Sequence, residues 1–163
     1  MPKVALIMGS KSDWPSLKGC VDVLKKFEIE VEVHVASAHR TPENVAAFAA
    51  NARENGFEVI IAAAGKAAHL GGVLAAYTTL PVIGVPMATS VMGGMDSLLS
   101  IVQMPKGIPV ATVAIDGADN AAILAAQMIA LSDEALAARL AAFKADMAAE
   151  VTAKDEKVRA QFA

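Results

Sequence analysis

Five short strand-like runs, Val4–Met8, Val31–Val35, Phe57–Ala64, Pro81–Pro86 and Pro109–Ile115, each give way to a turn and then to apolar residues at helical spacing. A chain that alternates in this way closes into a parallel sheet through right-handed crossovers, with helices covering both faces. The continuous apolar runs, such as Val4-Ala5-Leu6-Ile7-Met8, read as strands buried on both sides.

Local signals set the helix starts. Ser12 or Asp13 is placed to cap a first helix with Pro15 in its first turn, followed by Leu17, Cys20, Val21, Leu24 and Phe27 on one stripe. Thr41 with Pro42 opens a second helix, which runs through Val45 and Phe48 and stops near Asn55-Gly56. A short alanine-rich helix ends near Thr78, Asp96 or Ser97 caps the next, and Asp119-Asn120 opens a fifth. Ser132-Asp133-Glu134 begins the last, whose Leu136, Leu140, Phe143, Met147 and Val151 form a stripe expected to pack across the domain edge or onto a neighbour. The predicted architecture is a three-layer, doubly wound α/β domain, flavodoxin-like in its strand order 2-1-3-4-5. It occupies residues 1–131 of a single 163-residue domain, with residues 132–163 as a C-terminal helical extension.

Charge narrows the choice of partner. A formal net charge of −3 offers no basic field for a polyanion, so no nucleic acid partner is expected. Residues 67–95 contain no Asp, Glu, Lys or Arg, but Gly71-Gly72, Pro81, Pro86 and Gly93-Gly94 break that stretch too often for a membrane helix. Between Val59 and Ile115 the charged residues are Lys66, Asp96 and Lys106 alone, a surface so neutral that subunits are expected to bury part of it against each other. The lone Cys20 lies on a helical stripe as a buried thiol of a reducing compartment. With a strand pattern beginning at the N-terminus, the expected location is the cytoplasm.

In a sheet of this order ligands sit beyond the carboxyl ends of strands one and three, where the winding reverses. That point gathers Gly9 to Trp14, Ser37 to Thr41 and Gly65 to His69. Ser10, Ser12 and Asp13 read either as a sugar-phosphate site, hydroxyls and N–H groups to phosphate and carboxylate to ribose, or as an ordinary polar cap. No G-x-G-x-x-G fingerprint is present, and around Lys66 a phosphate-binding P-loop is ruled out by Ile60 in place of its first glycine and Ala67 in place of its Ser/Thr. Lys66 is either a ligand contact or a solvated side chain. Of the histidines, His34 alternates with valines and reads as a packing or polar-face residue, and His69 as either an oriented hydrogen-bonding group or a ligand contact. His39, between Ser37 and Arg40, is placed to give and take a proton. No histidine or cysteine spacing fits a metal, and no G-x-S-x-G elbow supports a covalent hydrolase.

Four separated segments carry a family resemblance: Gly9-Ser10-Lys11-Ser12-Asp13-Trp14, Ser37-Ala38-His39-Arg40-Thr41-Pro42, Ala67-Ala68-His69-Leu70, and Asp96 to Pro105. In order and spacing they resemble the 5-(carboxyamino)imidazole ribonucleotide mutases of bacterial purine synthesis, over essentially the whole chain. The resemblance implies a cofactor-free shift of a carboxylate from the exocyclic nitrogen of an aminoimidazole ribotide to ring carbon C4. By position it implies Ser10, Ser37 and Arg40 on the phosphate, Asp13 on the ribose and His39 as the proton carrier. The loop Ala64, Gly65, Lys66, Ala67, Ala68, His69 and Leu70 would close over the imidazole and the migrating group. It further implies a homo-octamer whose sites are finished by neighbouring subunits. Two residues depart from the family loop: Lys66 replaces its second glycine, where it either clashes or pairs with the carboxylate, and Gly71 replaces its proline. The related carboxylase, which takes aminoimidazole ribotide and free carbon dioxide, typically has lysine where Arg40 stands. A non-catalytic nucleotide or sugar-phosphate binder is the alternative of another class.

Overall fold

The computed structural model describes residues 1–163. Five parallel strands, β1 (Lys3–Met8), β2 (Glu30–Val35), β3 (Val59–Ala64), β4 (Val82–Pro86) and β5 (Ala111–Thr112), stand in the order β2-β1-β3-β4-β5. Six α-helices connect and follow them: α1 (Trp14–Lys26), α2 (Pro42–Asn51), α3 (Leu70–Tyr77), α4 (Met95–Val102), α5 (Ala118–Ile129) and α6 (Glu134–Arg159).

The period of two along each strand sorts the core into two layers. Val4, Leu6 and Met8 with Val59, Ile61 and Ala63 face α1 and α5, while Ala5 and Ile7 with Ile60, Ala62 and Ala64 face α2 and α3. Leu6, Ile60 and Ile61 are wholly buried, each worth about 1.5–3 kcal/mol by area removed from water. These central strands are therefore the rigid frame on which the loops beyond Met8 and Ala64 are held.

The periphery differs from the sequence expectation in several places. The run from Pro109 to Ile115 forms only two residues of ladder, Ala111 and Thr112 opposite Ile83 and Gly84. Pro109 has no N–H to donate, and only isolated bonds continue the pairing, Val113 N–H to Gly84 O and Asp116 N–H to Pro86 O. At the other edge β2 is not covered on both faces, because Val33 and Val35 are 40% and 59% exposed. Its His34 does pack, against Phe48 with ring centroids 5.0 Å apart.

The helix caps also differ. Ser10 supplies the side-chain cap at the first turn, accepting from Ser12 N–H, and Asp13 sits at the start of α1 without a capping bond. Thr41 precedes α2 but turns its hydroxyl back, donating to Ser37 O and accepting from Ser37 N–H. Gly94, left-handed at φ 103°, begins α4 in place of Asp96 or Ser97. Asp133 caps α6 through Leu136 N–H as expected, and Leu136, Leu140 and Phe143 join the core, whereas Met147 and Val151 are exposed. No helix is long and apolar enough to cross a membrane.

Candidate active site

At the carboxyl ends of β1 and β3, where the strand order reverses, a cavity of about 700 Å³ opens, a size typical of small-molecule sites. Ser10, Asp13, Ser37, His39, Arg40, Ala64, Gly65, Lys66, Ala67, His69 and Leu70 line it, whereas Ala68 of the same loop is buried in the core.

The β2–α2 turn is braced from within. Ser37 Oγ accepts from the Arg40 backbone N–H at 3.1 Å and from Arg40 Nε at 3.4 Å, and Arg40 Nη2 donates to Gly9 O at 3.3 Å. The guanidinium is thereby tied to the β1 turn, where Ser10 and Ser12 hydroxyls lie 2.8 Å apart. Two hydroxyls, a fixed cation and a helix start converge on one end of the cavity, a donor set suited to a phosphate.

His39 Nε2 lies 2.7 Å from His69 Nδ1, with the rings nearly perpendicular. The contact joins the β2–α2 turn to the start of α3, so the imidazole expected to move a proton is oriented by a second one. His69 precedes Leu70 at the first turn of α3, and its side chain makes no capping bond there.

Asp13 is the cavity's carboxylate. Its pKa is raised, mainly by burial and further by the charge of Asp116, while a hydrogen bond from the Ser10 backbone draws it back down. Its free acceptors and partial desolvation favour a hydroxyl donor, as a ribose presents.

Lys66 stands in the left-handed region at φ 57°, the conformation that favours glycine. It does not clash. Its N–H donates to Ser97 Oγ at 3.0 Å and its carbonyl oxygen lies 3.0 Å from Ser100 Oγ, which also accepts from Ala68 N–H at 3.1 Å. Ser97 is wholly buried and donates in turn to Met87 O at 2.8 Å. Two hydroxyls one turn apart on α4 therefore hold the β3–α3 loop by its backbone.

Sequence reasoning quoted Ser97 and Ser100 without giving them this role, and it missed a whole wall of the cavity, Met87 to Ser90 after β4. That wall is fixed by Asp116 Oδ1, which accepts from Ala88 N–H at 2.9 Å, and by Thr89 Oγ1, which donates to Asp96 Oδ1 at 2.7 Å. The rule that ligands gather at carboxyl ends of strands, applied to β4 as well as β1 and β3, would have found it.

Fold and cavity define a doubly wound α/β protein with a histidine pair at its switch point. The AIR carboxylase family model matches residues 3–150. N5-carboxyaminoimidazole ribonucleotide mutase of Saccharolobus solfataricus is 54% identical over 151 residues, 93% of this chain and 96% of that protein. The mutase of Mycobacterium tuberculosis is 53% identical over 158 residues, 97% of this chain and 91% of that one. A crystal structure of Treponema denticola PurE superposes with a TM-score of 0.86 at 28% identity, covering 96% of this chain and 98% of the other. The chain belongs to the AIR carboxylase family.

Proposed function

We propose that this chain is a 5-(carboxyamino)imidazole ribonucleotide mutase of purine synthesis, an isomerase that moves a carboxylate from the exocyclic nitrogen to ring C4 and yields 4-carboxy-5-aminoimidazole ribonucleotide. The observation that carries the reading is the His39–His69 contact at 2.7 Å in a cavity that also holds Arg40, Ser10 and Asp13. The names of the relatives at 53–54% identity agree with it.

Phosphate is held by Ser10, Ser37 and Arg40, and ribose by Asp13. The C–N bond to the carboxyl group breaks as His39 gives a proton to the departing nitrogen, leaving carbon dioxide and the aminoimidazole. Attack by C4 on the carbon dioxide forms the C–C bond, and the C4 proton returns to His39. The imidazole ends as it began. Ala64, Gly65, Ala67 and Leu70 provide small, neutral walls that keep carbon dioxide beside C4, replacing a dilute encounter by a near-attack arrangement.

We further place the protein in the cytoplasm as a homo-oligomer, an octamer by family resemblance. Tyr77, Val91, Met92, Met95, Leu99 and Val102 are each at least 45% exposed, an apolar surface of the kind that subunits cover. Two of these, Val91 and Met92, directly follow the cavity-lining Ser90. Light scattering at micromolar concentration tests this part, and a monomer overturns it.

The family model is named for a carboxylase and the relatives for a mutase, so the decisive experiment is a paired assay. Purified protein is given the carboxyamino ribotide in one arm and aminoimidazole ribotide with bicarbonate in the other. Turnover in the first arm is expected. Brisk turnover confined to the second makes the protein a carboxylase, and ligand binding without turnover in either makes it a binder.

A further inference from the structure

The cavity is lined by one arginine and one lysine, and they stand on different loops. Arg40 follows β2 and is tied to Gly9 and Ser37. Lys66 follows β3, two strands away in the sheet. The ion pairs of the chain join Lys3 to Glu30 and Glu32, Arg139 to Glu28, and Arg159 to Asp155, so neither cavity cation is neutralised by a carboxylate. The single cavity carboxylate, Asp13, belongs to the β1 turn beside Arg40.

Lys66 is also held where a lysine is costly. A left-handed backbone disfavours an L side chain, and Ser97 and Ser100 hold that backbone from outside the loop. Two separated, unpaired cations in one cleft match a ligand with two separated anionic ends. A plain nucleoside monophosphate has one such end, whereas a ribotide bearing a carboxylate on its base has two.

Building on the mutase reading, we infer that Lys66 is a specificity-determining residue that pairs with the base-borne carboxylate, so that the site distinguishes carboxylated from uncarboxylated ribotide by charge. Arg40 anchors the phosphate common to both ligands, and Lys66 acts only on the group that differs.

Equilibrium calorimetry with two probes, 4-carboxy-5-aminoimidazole ribonucleotide and 5-aminoimidazole ribonucleotide, tests this without relying on turnover. Lys66→Met keeps the side-chain length and backbone demand and removes only the charge; Lys66→Arg keeps the charge. Lys66→Met is expected to weaken the carboxylated probe about tenfold, as loss of a charge-assisted contact does, and to leave the other within about twofold. Lys66→Arg is expected to restore most of the difference, and added salt to shrink the gap between wild type and Lys66→Met. Equal effects on both probes, or on neither, overturn the inference while wild-type turnover leaves the mutase reading standing. Wild type that binds neither probe overturns both.

Discussion

His39 Nε2 and His69 Nδ1 share one hydrogen bond of 2.7 Å across thirty residues of sequence. Such a bond needs one ring nitrogen bearing hydrogen and one bearing a lone pair. Two fully protonated rings cannot make it, so the contact requires a lone pair on one of the two bonded nitrogens.

Replacing His39 with Asn separates binding from chemistry. His39→Asn should lower kcat by about 10²–10⁴-fold, the usual worth of a positioned acid–base group, while product affinity stays within a few-fold. Wild-type turnover in the purified variant removes His39 from the mechanism. His69→Phe keeps a ring and deletes the bond, and its loss should also appear chiefly in kcat.

Asp13 links the site to stability. Its folded-state pKa is raised above an unfolded value near 3.9, so folding favours its protonated form. That contribution is fully present below the unfolded pKa and is lost as pH rises through the folded one. Asp13→Asn should therefore have a higher Tm than wild type at neutral pH, the gap closing as pH falls through the carboxylate range. Ribotide affinity should fall about tenfold for loss of a charged hydrogen-bond acceptor. Thermal melts from pH 3 to 8 with a binding titration check both, and a pH-independent gap contradicts the burial argument.

Ser97→Ala should cost about 1–3 kcal/mol, because a wholly buried hydroxyl that serves both Met87 O and Lys66 N–H leaves two groups without partners. Since the β3–α3 loop loses an anchor, KM should rise more than kcat falls. Urea denaturation and steady-state kinetics on the same preparation measure the two effects.

Gly84 lies at the centre of β4, where an added methyl would run into Ile101 of α4 and lie 3.0 Å from Val110 Cγ1. Gly84→Ala should destabilise by about 1–3 kcal/mol through overpacking, lowering Tm by about 2–4 °C per kcal/mol in a chain of this size. A melting temperature equal to wild type would mean that α4 can shift away freely.

Cys20 is wholly buried, and its thiol is pushed up to about 12, chiefly by burial and then by the charge of Asp119. A thiol reagent at neutral pH should leave the folded protein unmodified and react fully in denaturant. Rapid labelling of the native protein would place Cys20 at a surface it does not occupy.

The succession of strands and helices and the cluster Ser37, His39 and Arg40 were legible because both depend on local pattern: apolar runs, breaker residues, and reactive side chains at strand ends. What stayed hidden depends on distant partners. Ser97 and Ser100 act on backbone atoms more than thirty residues away, Asp116 on Ala88, and no spacing rule connects them. Thr41 looked like a cap because Thr-Pro usually is one, but Ser37 offered its hydroxyl a closer pair of partners. The fifth strand was overread since apolar content does not show where ladder bonds stop: beyond Thr112 only the N–H groups of Val113 and Asp116 pair with β4. The left-handed backbone at Lys66 was not legible from its own residue type, and the groups that bond that backbone lie on α4.

The two serine hydroxyls of α4 grip peptide atoms, which every amino acid except proline possesses. The shape of the β3–α3 loop is thus written in a different segment from the loop itself, and its side chains are free to vary as a separate variable. A library varied among unbranched residues at position 66, proline excluded, with Ser97 and Ser100 retained, should keep its fold and change its ligand preference. Altering the serines instead should disturb every member of such a library alike.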